Sequence, residues 1–212
     1  MMTREDFQQQ AEALCDTLSR VSCNENHALL NWRRDSVENT RYLVHAVAVR
    51  NSLVKVSSTA ATEEEALEAD SVLYEDEATT TALDSSQSFE WRFSIVYSDT
   101  WRVPVLYFTV QDASGNPCPR DQVLSMLPAA SQQQDKWDFI SYDEHPITGT
   151  PSYFLHPCQT QDLLELLHHG EKQSSTLLLS WLSMILPAIG FNLSSKTFQQ
   201  LHQRLLGFDL QS

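Results

Sequence analysis

Cys158 and the residues beside it carry the chemistry that this chain could do. The stretch Tyr153-Phe-Leu-His-Pro-Cys-Gln-Thr160 puts Cys158 directly after His156-Pro157 and directly before a helix signal. Pro157 fixes its own φ and pushes His156 into an extended conformation, so the chain arrives straight and then turns into a helix. Thr160 suits the N-cap and Asp162 the first turn, and Leu163, Leu164, Leu166 and Leu167 supply a face to bury. A thiol there feels the positive end of the helix, which stabilises the thiolate. Cysteines so placed have pKa values lowered from about 8.5 to roughly 3.5–7.5. The placement suits a nucleophile; the competing reading is a small buried hydrophobe at the end of a loop.

Composition narrows what such a nucleophile could serve. With 212 residues, 42% hydrophobic and 20% charged, the chain can build one core. Fourteen basic against 28 acidic side chains give a formal net charge of −14. That argues against nucleic acid, whose phosphates need a positive surface, and allows steering toward basic protein partners. The cysteines at 15, 23, 118 and 158 show no CxxC, and no secretory signal opens the sequence, so reduced thiols in the cytoplasm are expected. The one long apolar run, Leu177 to Phe191, contains Pro187 and is shorter than the roughly 20 residues that span a bilayer. A buried helix without stable membrane insertion follows.

The elements that must hold Cys158 read in order. Residues 3–21 predict an amphipathic helix, with Phe7, Ala11, Leu14, Leu18 and Val21 on one face and Thr3 with Asp6 as a capping pair. Trp32 is a candidate anchor. Arg41–Arg50 reads as a strand. Residues 57–88 crowd acids among Ala, Thr and Ser and predict an acidic, flexible insertion. Phe89–Tyr97 and Val103–Gln111 predict an antiparallel hairpin, with Pro104 at an edge or a strand start. A turn follows at 114–119, with Cys118 exposed, then a short helix at 120–127 opened by Pro119. Trp137–Ser141 predicts a strand, and the Pro- and Gly-containing stretch to 151 a loop. Helices follow at about 160–169, 174–187 and 195–206, with Gly170 and Gly207 as stops. Strands in a run, then helices in a run, mean an α+β domain with an antiparallel sheet and helices on one face.

Ile140-Ser-Tyr-Asp-Glu-His-Pro146, Tyr153-Phe-Leu-His-Pro-Cys158 and the leucine-rich helix after it resemble the autophagy E2-like conjugating enzymes. Val96-Tyr-Ser and Val103-Pro-Val-Leu-Tyr-Phe108 match that family's hairpin. The resemblance covers roughly residues 89–191. It implies a single E2-like domain over 1–212, with the insertion at 57–88. One branch of the family joins a ubiquitin-like protein to phosphatidylethanolamine; the other joins the ubiquitin-like autophagy modifier twelve to a lysine of autophagy protein five. The short chain, the Gly-containing loop after Glu144-His145-Pro146 and the Tyr-Phe-Leu before His156 are closer to the second. The implied partners are an E1-like activating enzyme, the modifier twelve and the acceptor protein five. No metal or organic cofactor is implied, because the E1 uses the ATP.

The resemblance also assigns roles. Cys158 would carry the modifier as a thioester. Ordinary ubiquitin E2 enzymes have His-Pro-Asn upstream of the cysteine, the Asn supporting the oxyanion; here the triplets are His145-Pro146-Ile147 and His156-Pro157-Cys158. Ser141 is the candidate substitute, and the backbone N–H groups near Gln159 and Thr160 are a second donor set. His156 could hold the loop or lower the thiol pKa; at i−2 in an extended segment its ring is expected to point away, which favours a structural role. His145 reads as a loop anchor, as do Asp143 and Glu144, although either acid could ease lysine deprotonation. The hairpin around Tyr107 is the expected acceptor contact. Other readings stay open. A cysteine hydrolase would need a triad partner among His27, His45 or His202. A non-catalytic binding module would use the hairpin for strand addition. A zinc site among His145, His156, Cys158, His168 and His169 lacks ligand spacing.

Overall fold

The computed structural model describes residues 2–21, 32–37, 40–50, 88–128, 139–170 and 174–207. The N-terminal helix α1 (Arg4–Val21) starts on a reciprocal cap: Thr3 Oγ1 accepts from the Asp6 N–H at 3.1 Å, and Asp6 Oδ2 accepts from the Thr3 N–H at 2.9 Å. Phe7, Ala11, Leu14 and Leu18 are buried, as their spacing requires. Gln10 is buried on the same helix because its Oε1 accepts the Leu178 N–H at 2.8 Å. Trp32 is buried in the same core.

Among the described residues, six strands form one antiparallel sheet: β1 (Arg33–Val37), β2 (Thr40–Arg50), β3 (Ser88–Ser98), β4 (Val103–Gln111), β5 (Ile140–Glu144) and β6 (Pro151–Leu155), in the order β1-β2-β3-β4-β6-β5. Alternation along β3 turns Phe89, Trp91, Phe93 and Ile95 to the core, opposite Leu106, Phe108 and Val110 of β4. Phe191 closes this layer, with ring centroids 5.4 Å from Trp91 and 5.0 Å from Phe93. The helices α3 (Pro157–Gly170), α4 (Leu177–Ile185) and α5 (Ser195–Leu205) complete the core with α1; α2 (Arg120–Ser125) is a short connector. The fold is α+β, with its hairpin at β3–β4 as the sequence predicts.

Several boundaries differ from expectation. The strand expected at Trp137–Ser141 runs from Ile140 to Glu144; Trp137 and Asp138 lie outside the described residues. Between the loop expected up to 151 and the helix, the chain expected to arrive straight forms β6, a strand that opens on Pro151 and buries Ser152, Tyr153 and Leu155. Pro151 fits because a proline is tolerated at the first position of a strand. The third helix begins at Pro157, not Thr160, so Thr160 is a buried residue inside the helix and Asp162 lies beyond the first turn. The helix read at 174–187 is α-helical only over Leu177–Ile185, between a 3-10 turn at Ser174–Thr176 and another at Leu186–Ile189 that holds Pro187. Pro104 is the second residue of β4, an interior strand, so it marks a strand start and no edge. Cys118 is half-buried, its N–H donating to the Val110 carbonyl at 2.9 Å. Ser88 begins β3, and the rest of the predicted 57–88 insertion lies outside the described residues, as does Cys23.

Candidate active site

The site forms where β6 runs into α3. Leu155 is the last residue paired with β5, opposite Ile140, and the next N–H, that of His156, donates to the Phe139 carbonyl at 2.7 Å. The chain is therefore held straight up to the proline. Pro157 then takes the first helical position, where its missing N–H costs nothing. His156 becomes the residue before the helix, and its imidazole does the work of an N-cap: Nδ1 accepts the Cys158 N–H at 3.3 Å. The same nitrogen lies 2.9 Å from Cys158 Sγ. The ring that was expected to point away thus turns onto the cysteine. A side chain in the capping position folds back over the first turn, and one-residue alternation did not account for this.

Cys158 is exposed to solvent at the second helical position. Its Sγ meets three requirements of a nucleophile: access, a helix N-terminus and a base within hydrogen-bond reach. Cys15 is the contrast. It is buried on α1, and burial is the main cause that pushes its thiol up to about 11.

The other face of the His156 ring is supported by aromatic groups. The Trp101 indole sits edge-on to it at 5.6 Å, and Phe154 lies at 6.4 Å. Trp101 is 41% exposed, at the tip of the β3–β4 hairpin, where Arg102 closes the turn with φ +57° and an N–H bond of 2.7 Å to Ser98 O. Arg4 of α1 grips Asp99 of that turn through both Nε, at 3.0 Å, and a terminal guanidinium nitrogen. Sequence reasoning missed Trp101. A large aromatic in a polar hairpin turn was the available signal.

The remaining candidates separate. Ser141 is paired opposite Phe154, on the sheet face that Phe154 shares with His156, and no contact among the described residues links its hydroxyl to Cys158. Asp143 and Glu144 sit at the far end of the β5–β6 hairpin, opposite Ser152 and Pro151, about 10 and 13 Å along the strand from the Ile140–Leu155 pair. They are not neighbours of the sulfur. His145 is 4% exposed; its Nδ1 accepts the N–H groups of Ile147 and Thr148, each at 3.2 Å, and its Nε2 lies 2.8 Å from Ser94 Oγ. It anchors the β5–β6 turn, and burial holds its pKa below the ordinary histidine value. With Nδ1 accepting, the proton is on Nε2 and donates to Ser94, so this pair cannot activate the serine. Tyr107 stands between His145 and Phe154, at 4.8 and 5.5 Å. His202 stacks on Phe198 in α5 at 5.7 Å; His27 and the side chains of His45, His168 and His169 lie outside the described residues.

The sequence model of the autophagocytosis-associated protein, active-site domain, matches residues 6–196. The chain belongs to that family. The match to this active-site domain spans the sheet, the Cys158 helix and α4. Curated relatives named ubiquitin-like-conjugating enzyme ATG10 agree with it: 32% identity over 117 residues in Arabidopsis thaliana, 32% over 115 in Homo sapiens and 35% over 120 in Dictyostelium discoideum. These matches cover 51%, 51% and 49% of this chain and 52%, 52% and 51% of the relatives. The chain thus spans about half the length of the curated relatives it matches. Among the described residues of this active-site domain, no helix is long and apolar enough to cross a membrane.

Proposed function

We propose that this chain is an E2-like transferase of the ubiquitin-conjugating kind, one domain over 1–212 with the acidic stretch 57–88 inserted between β2 and β3. It works in the cytoplasm as part of autophagosome formation. Cys158 accepts a ubiquitin-like modifier from an E1-like enzyme and passes it to a lysine of an acceptor protein. The modifier twelve and acceptor protein five are the partners that the resemblance implies. The observation that carries this reading is the exposed Cys158 Sγ at a helix N-terminus with His156 Nδ1 2.9 Å away.

In the first step the Cys158 proton passes to His156 Nδ1 and the sulfur attacks the carbonyl carbon of the E1-bound thioester. A new C–S bond forms and the E1 thiolate leaves. In the second, a lysine amine attacks that carbonyl, a C–N bond forms, Cys158 leaves as thiolate, and the amine proton is lost to solvent or to an imidazole. The oxyanion at each step needs a donor. Ser141, and the N–H group of Gln159 in the first helical turn, are the proposed set.

A hydrolase would need a carboxylate on the far nitrogen of His156; in the described contacts its ring neighbours are Trp101 and Phe154. A module that binds by strand addition on the β3–β4 hairpin would need a free edge. β3 has none between β2 and β4, and β4 keeps one only outside its two pairs with β6 at Tyr107 and Phe108. The test is single-turnover discharge. Enzyme charged with modifier, freed of E1 and ATP, is mixed with acceptor protein or with phosphatidylethanolamine vesicles. Amide product on the protein alone supports the reading, product on the lipid supports the other branch, and rapid hydrolysis with neither defeats both.

A further inference from the structure

A cleft beyond the cysteine has no part in this chemistry. β4 and β6 pair at only two positions, Tyr107 with Phe154 and Phe108 with Tyr153. Past them β4 continues to a bridge between Gln111 and Pro117, while β6 stays with β5. The strands part, and a cleft of about 490 Å³ opens in the wedge. That volume falls within the roughly 300–1,000 Å³ of ligand sites. Because the wedge cuts through the sheet, residues from both faces line it, among them Tyr42, Tyr107, Tyr142 and Tyr153.

Two formal charges of opposite sign stand at the wall, with different partners. Arg92 is there, but its Nε bonds Glu90 Oε1 at 2.5 Å. Asp35 is also there, and its carboxylate accepts only the Ser36 N–H in the described contacts. Asp143 and Asp35 help raise the pKa values of Tyr107 and Tyr42, after burial, with Arg33 offsetting part of the effect at Tyr42. Buried His145, whose pKa is lowered, adds no cation at neutral pH. Tyrosine rings with a carboxylate among them attract a cation through the ring quadrupole and the charge together.

The cleft is also joined to the cysteine. His145, Tyr107, Phe154, His156 and Trp101 form a row of rings with successive centroids 4.8, 5.5, 6.4 and 5.6 Å apart. Ser152 at the cleft and His156 beside Cys158 are about 13 Å apart along the strand, the reach of four extended residues. We propose that the cleft binds a lysine or arginine side chain on an extended segment of a protein partner, which crosses Phe154 toward Cys158. The net charge of −14 favours a basic partner. The direction toward Cys158 rests on the transferase reading; the cation site does not.

The probes are acetyl-Gly-Gly-Lys-Gly-Gly-amide and the same peptide acetylated on Nζ, titrated into the full chain and followed by aromatic-ring NMR. The lysine peptide is expected to move the Tyr42 and Tyr107 ring signals saturably and to bind about fivefold tighter than its acetylated form, the worth of an exposed cation–π contact. Asp35→Asn, an exposed substitution that leaves the core untouched, should remove most of that preference. Equal binding of the two peptides, or an unchanged preference in Asp35→Asn, overturns the proposal. So does saturation by phosphocholine with none by the lysine peptide, which would make the cleft a lipid-headgroup site. Repeating the titration with Cys158→Ser keeps the cleft and removes the thiol, so failure of the cation site and failure of the transferase reading are told apart.

Discussion

His145-Pro146 and His156-Pro157 are the same dipeptide, one directly after β5 and one directly after β6, and both imidazoles do the same local thing. In each, Nδ1 accepts the N–H two residues on, across the proline. What differs is the surroundings. His145 is covered by Tyr42 and Tyr107 and tied through Nε2 to Ser94, so its hydrogen bonds are spent on holding a turn. His156 is half-buried, with the exposed Cys158 at 2.9 Å through its sulfur and the Trp101 and Phe154 rings beside it. Burial, and the residue that follows the proline, decide which histidine is enclosed in a turn and which faces an exposed thiol.

Substitution should separate the two. His145→Ala removes the hydrogen bonds to Ser94, Ile147 and Thr148 and leaves a buried gap. Denaturant unfolding should show a loss of about 2–4 kcal/mol, with Cys158 still reactive in the molecules that remain folded. His156→Ala should do the reverse: about 1 kcal/mol of stability lost with the cap, but about a hundredfold slower loading of the thiol, within the range for a general base. His156→Asn sharpens this, because Asn can cap and cannot take the proton. Its stability should return while loading stays slow; full-rate loading would reduce His156 to a cap.

A smaller effect concerns pH. Burial depresses the folded pKa of His145, so the unfolded chain binds its proton more readily. The stability due to neutral His145 is complete above about pH 6.5 and falls as pH drops below it. The wild-type stability curve should decline there, and that decline should shrink in His145→Ala. The smallest effect is at Trp101. Trp101→Ala frees the His156 ring on one side, and loading should slow by about three- to tenfold, the worth of one ring contact, with unfolding almost unchanged because Trp101 is exposed.

The sequence made much of this legible. The periodicity of α1, the alternation of β3 and β4 and the Ser194 cap of α5, whose Oγ accepts the Thr197 N–H at 3.0 Å, are local signals that the fold obeys. Cys158 after a proline and before a helix was legible for the same reason. β6 was hidden because five residues opening on Pro151 give little alternation to read; its strand character comes from its neighbours on both sides. The helix start was placed three residues late because Thr160 is the better N-cap by composition, while His156 caps by its ring. Trp101 beside His156 is a contact between residues 55 positions apart, and no local rule could supply it.

The most direct test of the transfer chemistry is to incubate wild type and Cys158→Ser with E1, ATP and the modifier. A thiol-sensitive adduct on wild type and a thiol-resistant oxyester on the serine variant are predicted. An adduct on neither, or one that survives when residue 158 is alanine, would contradict the account.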